Sequence, residues 1–151
     1  MKKIIVLAVF FLVAGAVFGQ EFTFRGLPWG ATQEQVIAVL GQPQINNWGG
    51  WIFYANQEIA GYRAGLHLRS IAPDFRLVEA TYQINFSTID EAQAIYSDLL
   101  AKLSVLYGTP NTNTSSHYWV VKRTLIRLGY GSHENILVNY QSPEINEYGN
   151  L

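Results

Sequence analysis

The sequence predicts an α+β fold: an antiparallel sheet of about six strands with two helices on one face, arranged as a tandem α-β-β-β repeat. Three observations lead there. Two segments carry helix start and stop signals, "TQEQVIAVLGQP" and "TIDEAQAIYSDLLAKLSVLYGTP". Several others alternate apolar and polar residues with period two. The two helical segments also recur at one offset, since Gly41 and Gly108, and Pro43 and Pro110, are both separated by 67 residues.

The elements follow in chain order. Thr32 and Gln35 form a capping box, in which hydroxyl and amide satisfy two otherwise orphaned N–H groups. Val36, Val39 and Leu40 make one apolar stripe. Gly41 suits the residue that ends a helix, and Pro43 forbids continuation. A glycine placed after the helix cannot cradle a phosphate, which needs the N-terminal end. "WIFY", Trp51 to Tyr54, reads as a short strand. In "AGYRAGLHLR" the positions Ala60, Tyr62, Ala64, Leu66 and Leu68 are apolar, with Arg63, His67 and Arg69 on the other side. "VEATYQINF" alternates likewise, with Val78, Ala80, Tyr82, Ile84 and Phe86 against Glu79, Thr81, Gln83 and Asn85. Period two means one buried and one wet face, as in antiparallel sheets.

The second helix opens with Thr88 and Glu91 as another capping box and buries Ala92, Ile95, Leu99, Leu103 and Leu106. Gly108 and Pro110 close it. "NTNTSS", Asn111 to Ser116, reads as a polar loop, and "HYWVV", "TLIRLGY" and "ILVNY" as three strands. The offset of 67 aligns Val36 with Leu103, Val39 with Leu106, and Ile52 with Trp119. The half-repeats span about 28–86 and 87–143 of a single domain, 20–143, and residues 144–151 read as a loose tail.

The start of the chain reads as a signal peptide over residues 1–19. Lys2 and Lys3 precede an apolar run from Ile4 to Phe18, 15 residues against the roughly 20 that span a bilayer. Cleavage is expected between Gly19 and Gln20, with cleavage after Ala16 as the alternative. The product is then periplasmic or secreted, with no membrane span. Two of the ten basic residues leave with that segment, so eight remain against eleven acidic ones, a formal −3. That mild charge, without a Lys/Arg cluster, gives no footing for nucleic acid. There are no cysteines, hence no disulfide framework and no thiol nucleophile.

"GATQEQVIAVLGQP", followed by a loop, "WIFY" and two long alternating strands, resembles the SmpA/OmlA family of small outer-membrane assembly proteins. That family shares its helix-plus-sheet unit with the β-lactamase inhibitor protein, which carries two units in tandem. The resemblance rests on Gly30, Thr32, Val36, Leu40, Gly41, Pro43, Trp51 and Tyr54. It covers the first half better than the second. It implies a non-enzymatic envelope module that binds other proteins. The cysteine that anchors that family and the disulfides of the inhibitor are both missing here.

No catalytic, metal-ligating or cofactor-binding residue is assigned. His67, His117 and His133 show no metal-like spacing, and no serine or threonine has a base held by a third group. Asp90 and Glu91 favour a helix N-terminus electrostatically, which accounts for them. The candidate protein-binding residues are Arg63, His67, Arg69 and Arg127 on the wet face, with Trp48 in "INNWGGW" beside them. Arginine is enriched at interfaces. Substituting Arg63 and Arg69 is expected to abolish function without loss of stability. Trp51 and Trp119 read as core packing. The expected function is protein binding in the cell envelope through the open sheet face. The alternative is a small apolar ligand held among Leu66, Tyr82, Leu99 and Leu103, between helices and sheet.

Overall fold

A computed structural model describes residues 21–47, 50–71 and 74–148. A two-stranded hairpin comes first, β1 (Thr23–Phe24) and β2 (Leu27–Pro28), then α1 (Gln33–Leu40). Four strands follow: β3 (Ile45–Asn47), β4 (Trp51–Ile59), β5 (Tyr62–Ile71) and β6 (Arg76–Asn85). Then come α2 (Ile89–Tyr107), β7 (Asn111–Thr112), β8 (Ser116–Val121), β9 (Thr124–Tyr130), β10 (Asn135–Gln141) and α3 (Pro143–Tyr148). The main sheet is antiparallel, in the order β3-β4-β5-β6-β10-β9-β8-β7.

Among the described residues the sheet therefore has eight strands where about six were expected. The additions are the two edges, β3 and β7, in stretches read as loops. Segments of two or three residues cannot display alternation; the free edge of the next strand recruits them. The tail is also revised, because residues 143–148 form α3. Ser142, just before it, is buried and donates its N–H to the Val78 carbonyl at 2.9 Å.

The helix ends follow the local chemistry. Thr32 Oγ1 accepts from the Gln35 N–H, and the Gln35 side chain accepts from the Thr32 N–H, a full capping box. At α2 the box is offset: Thr88 Oγ1 takes the Glu91 N–H, but the Glu91 carboxylate reaches Ser87 N–H. Both helices stop at a glycine with positive φ, 82° at Gly41 and 86° at Gly108, where a side chain would be strained. The apolar stripes fail at the same place in both helices. Val39 is 52 % exposed and Leu106 70 % exposed, although Val36, Ile95, Leu99 and Leu103 are buried. Periodicity reports the face of a helix, not whether the sheet continues beneath it.

The core lies between the helices and one face of the sheet. Val36, Leu99 and Leu103 meet Tyr54, Leu66, Leu68, Ala80, Trp119, Ile126 and Val138 there. The β1–β2 hairpin adds Phe24 to the cluster, against Tyr82 and Tyr140 at centroid distances of 5.8 and 5.4 Å. Trp29 donates its indole N–H to buried Thr124 Oγ1 at 2.7 Å, tying the hairpin's exit to β9. Each such large apolar side chain contributes about 1.5–3 kcal/mol by leaving water.

From α1 to β6 and from α2 to β10 the chain runs through the same elements: helix, short edge strand, three longer strands. Tyr54 donates its O–H to the carbonyl of Gly41 at 2.9 Å, and Trp119 its N–H to that of Gly108 at 2.8 Å. Tyr54, not Ile52, is thus the counterpart of Trp119, because the offset of 67 at the helix ends narrows to 65 within the strands. Further on, Thr81-Tyr82-Gln83 matches Asn139-Tyr140-Gln141, and Thr81 pairs directly with Asn139. The two halves meet antiparallel at that pair.

Candidate functional site

Both long helices and the hairpin occupy one side of the sheet, so the side chains on the other side form a candidate docking face. The register aligns them in rows. One runs Trp51, Arg69, Glu79, Gln141, Leu125, Val120. The next runs Phe53, His67, Thr81, Asn139, Arg127, Tyr118. Each row crosses from the first half of the chain to the second.

The centre is a polar network. Arg69 Nη2 pairs with Glu79 Oε2 at 2.8 Å, and its guanidinium stands 5.9 Å from the centre of the Trp51 ring. Glu79 Oε1 accepts from Asn139 Nδ2 at 2.8 Å, and Asn139 Nδ2 also reaches Thr81 Oγ1 at 2.7 Å. Asn139 Oδ1 and Arg69 Nε are buried without a partner. Polar atoms in that state have capacity left for an incoming group.

All four sequence-predicted residues within the described chain share this face; Trp48 lies outside the described residues, as does the expected signal peptide. Arg69 is committed to Glu79. Because Glu79 is only 13 % exposed, removing Arg69 takes away its counter-charge, so an Arg69 substitution is expected to cost stability and not to be neutral. His67 lies against Phe53 at 4.8 Å between ring centroids. Burial lowers its pKa below the usual imidazole value, partly opposed by a hydrogen bond with Gln83, so it is neutral near pH 7. Arg63 is exposed and bonded to Asn56 Oδ1. Arg127 is exposed and makes no hydrogen bond or ion pair with another described residue.

Sequence reasoning missed Trp51, which is 46 % exposed on this face and not in the core. The signal was present: Trp51 and Phe53 share one phase of β4, opposite buried Ile52 and Tyr54. Ile45 (59 % exposed) and Val120 (64 %) are likewise large apolar residues left in solvent. Clefts open on the face among the described residues. One of about 860 Å³ is lined by Ile45, Trp51, Phe53, Arg63, Gly65 and His67. Another, about 520 Å³, is lined by Glu79, Thr81, Ser116, Arg127 and Asn139.

The histidines do not converge. His67 is on the open face, His117 Nδ1 meets the Tyr96 hydroxyl of α2 at 2.9 Å, and His133 stands in the exposed β9–β10 turn. Leu66, Tyr82, Leu99 and Leu103, proposed lining for an interior cavity, are 0–4 % exposed within the packed core, on the opposite side from both clefts. Among the described residues no helix is long and apolar enough to cross a membrane. No family model, curated protein or solved structure matches this chain.

Proposed function

We propose that the protein is an exported, non-enzymatic binding module that docks a partner protein of the cell envelope through the open face of its sheet. The observation that carries this reading is the registered face itself: rows that cross both halves and carry Trp51, Phe53, Arg69, Arg127 and Tyr118 around a polar centre, opposite α1 and α2. Aromatic residues and arginine are the side chains that dominate interface energetics. The signal peptide expected over residues 1–19 from their basic start and apolar run supports the location. The matched element order of the halves supports a tandem helix-plus-sheet unit, as the SmpA/OmlA resemblance implies.

Residues 20–151 used as bait in an envelope extract, beside an Arg127→Glu, Tyr118→Ala variant, test the reading. Both substitutions alter the face without touching the Arg69–Glu79 pair. Wild type is expected to retain a protein that the variant, with unchanged circular dichroism and melting temperature, loses by about 30-fold or more in affinity. Identical captures from both baits would contradict docking through this face.

A further inference from the structure

The larger cleft is built around one fixed cation. β4 carries a bulge where its register on β5 shifts between Tyr54 and Gln57. Asn56 sits in that bulge at φ 56°, a left-handed conformation that asparagine tolerates better than most residues. Bulges re-aim side chains. Here Asn56 Oδ1 accepts from Nε of Arg63 at 3.0 Å and also from its Nη2, so the guanidinium is oriented while Nη1 makes no hydrogen bond to the described chain. Glu58 is the cross-strand partner of Arg63 but forms no ion pair with it and does not line the cleft.

The walls on the β3 and β4 side are largely apolar. Gly65 forms the floor, and a Cβ there would come within 2.8 Å of the Phe53 ring, so glycine is what lets that ring cross β5. Ile45 and Trp51 add exposed apolar surface. Gln83 and Asn85 supply uncharged amides on the β6 side, and neutral His67 leaves Arg63 as the charged group of the lining. An apolar trough with a pre-oriented guanidinium at one end suits a carboxylate attached to an apolar side chain, because arginine pairs carboxylates in a fixed fork geometry. A polypeptide C-terminus carries both groups on one Cα. The cleft continues through His67 and Gln83 into the rest of the face, leaving a path for the residues before the terminus.

We propose that this cleft binds the free C-terminal residue of a partner chain ending in an apolar side chain, with the carboxylate on Arg63 and the side chain against Phe53 and Ile45. The assignment rests on the docking reading above and names the chemistry that the face recognises.

The probes are a fluorescein-labelled peptide ending Gly-Ser-Gly-Leu-Phe as the free acid, the same peptide as the C-terminal amide, and N-acetylphenylalanine. Binding is followed by anisotropy and competition, and the site by heteronuclear NMR. The free acid is expected to bind and to shift the amide signals of Gly65, His67, Gln83 and Asn85. The amide, and N-acetylphenylalanine, bind about tenfold or more weakly. A folded Arg63→Ala protein loses the same factor, whereas Arg127→Glu, Tyr118→Ala retains peptide binding. Equal affinity for acid and amide, or no binding at millimolar peptide, overturns the proposal. N-acetylphenylalanine binding as tightly as the peptide would reassign the cleft to a small acid and overturn the chain-terminus source. A partner protein lost by the Arg127→Glu, Tyr118→Ala variant but kept by Arg63→Ala leaves the docking reading intact and removes this one.

Discussion

Trp119→Ala is expected to lower the unfolding free energy by about 3–5 kcal/mol, the usual cost of truncating a buried aromatic residue to alanine. Trp119 is 2 % exposed, packs 6.2 Å from Tyr107, and donates its N–H to the carbonyl of Gly108, where α2 ends. Truncation opens a cavity and orphans that carbonyl together. Domains of this size hold only about 5–15 kcal/mol, so the variant should be close to unfolding on mild heating. The counterpart in the first half offers a calibration. Tyr54→Phe keeps the ring and removes only the bond to Gly41, costing about 0.5–1.5 kcal/mol. Urea unfolding followed by circular dichroism measures both. A Trp119→Ala loss below that of Tyr54→Phe would show that Trp119 does not anchor α2 to the sheet.

Alkaline pH should unfold the protein through Tyr140. Burial, reinforced by neighbouring Tyr107 and Tyr82, raises its pKa far above the usual tyrosine value. Tyr82, Tyr54 and Tyr96 are also raised, in each case first by burial. The unfolded chain gives up these protons near pH 10 while the folded chain keeps them. The stability they contribute is therefore fully present below about pH 10 and lost as pH rises toward the folded pKa values. For Tyr140 alone the loss is about 1.4 kcal/mol per pH unit. Urea midpoints taken between about pH 9 and about pH 11.5 should fall steeply only in the upper part of that range. Tyr140→Phe should flatten the fall by one tyrosine's share. A midpoint independent of pH across that range would mean that Tyr140 is accessible to hydroxide in the native state.

The parts of this fold that were legible are those decided by neighbours in sequence. Thr32 with Gln35, and Gly41 before Pro43, mark helix ends because capping is a matter of three or four residues. Leu66, Leu68, Tyr82 and Ile84 reveal β5 and β6 because one face of each is buried and the other wet. Illegible were features that depend on what lies alongside. β3 and β7 exist because β4 and β8 offer them an edge. Trp51 was read by residue type as core, yet its phase in β4 sets it with Phe53 on the open face, and the bulge at Asn56 then shifts the phase of the rest of the strand. Arg63, His67, Arg69 and Arg127 could be placed on a wet face from alternation alone. That Arg69 is bound to Glu79, and Glu79 to Asn139 some sixty residues later, follows only from the pairing of β6 with β10. The internal offset of 67 held at Gly41 and Gly108 but misplaced Trp119, since the connection after the helix and the edge strand are each one residue shorter in the second half.

The central claim is that a partner covers the open face of the sheet. Hydroxyl-radical footprinting of the captured complex against the free protein tests it most directly, because the reaction reports solvent access side chain by side chain. Trp51, Phe53 and Tyr118 are expected to lose reactivity when the partner is bound, while Val105 and Leu106, exposed on α2, stay as reactive as in the free protein. Protection of Val105 and Leu106 with Trp51, Phe53 and Tyr118 unchanged would place the partner on the helices and contradict the account.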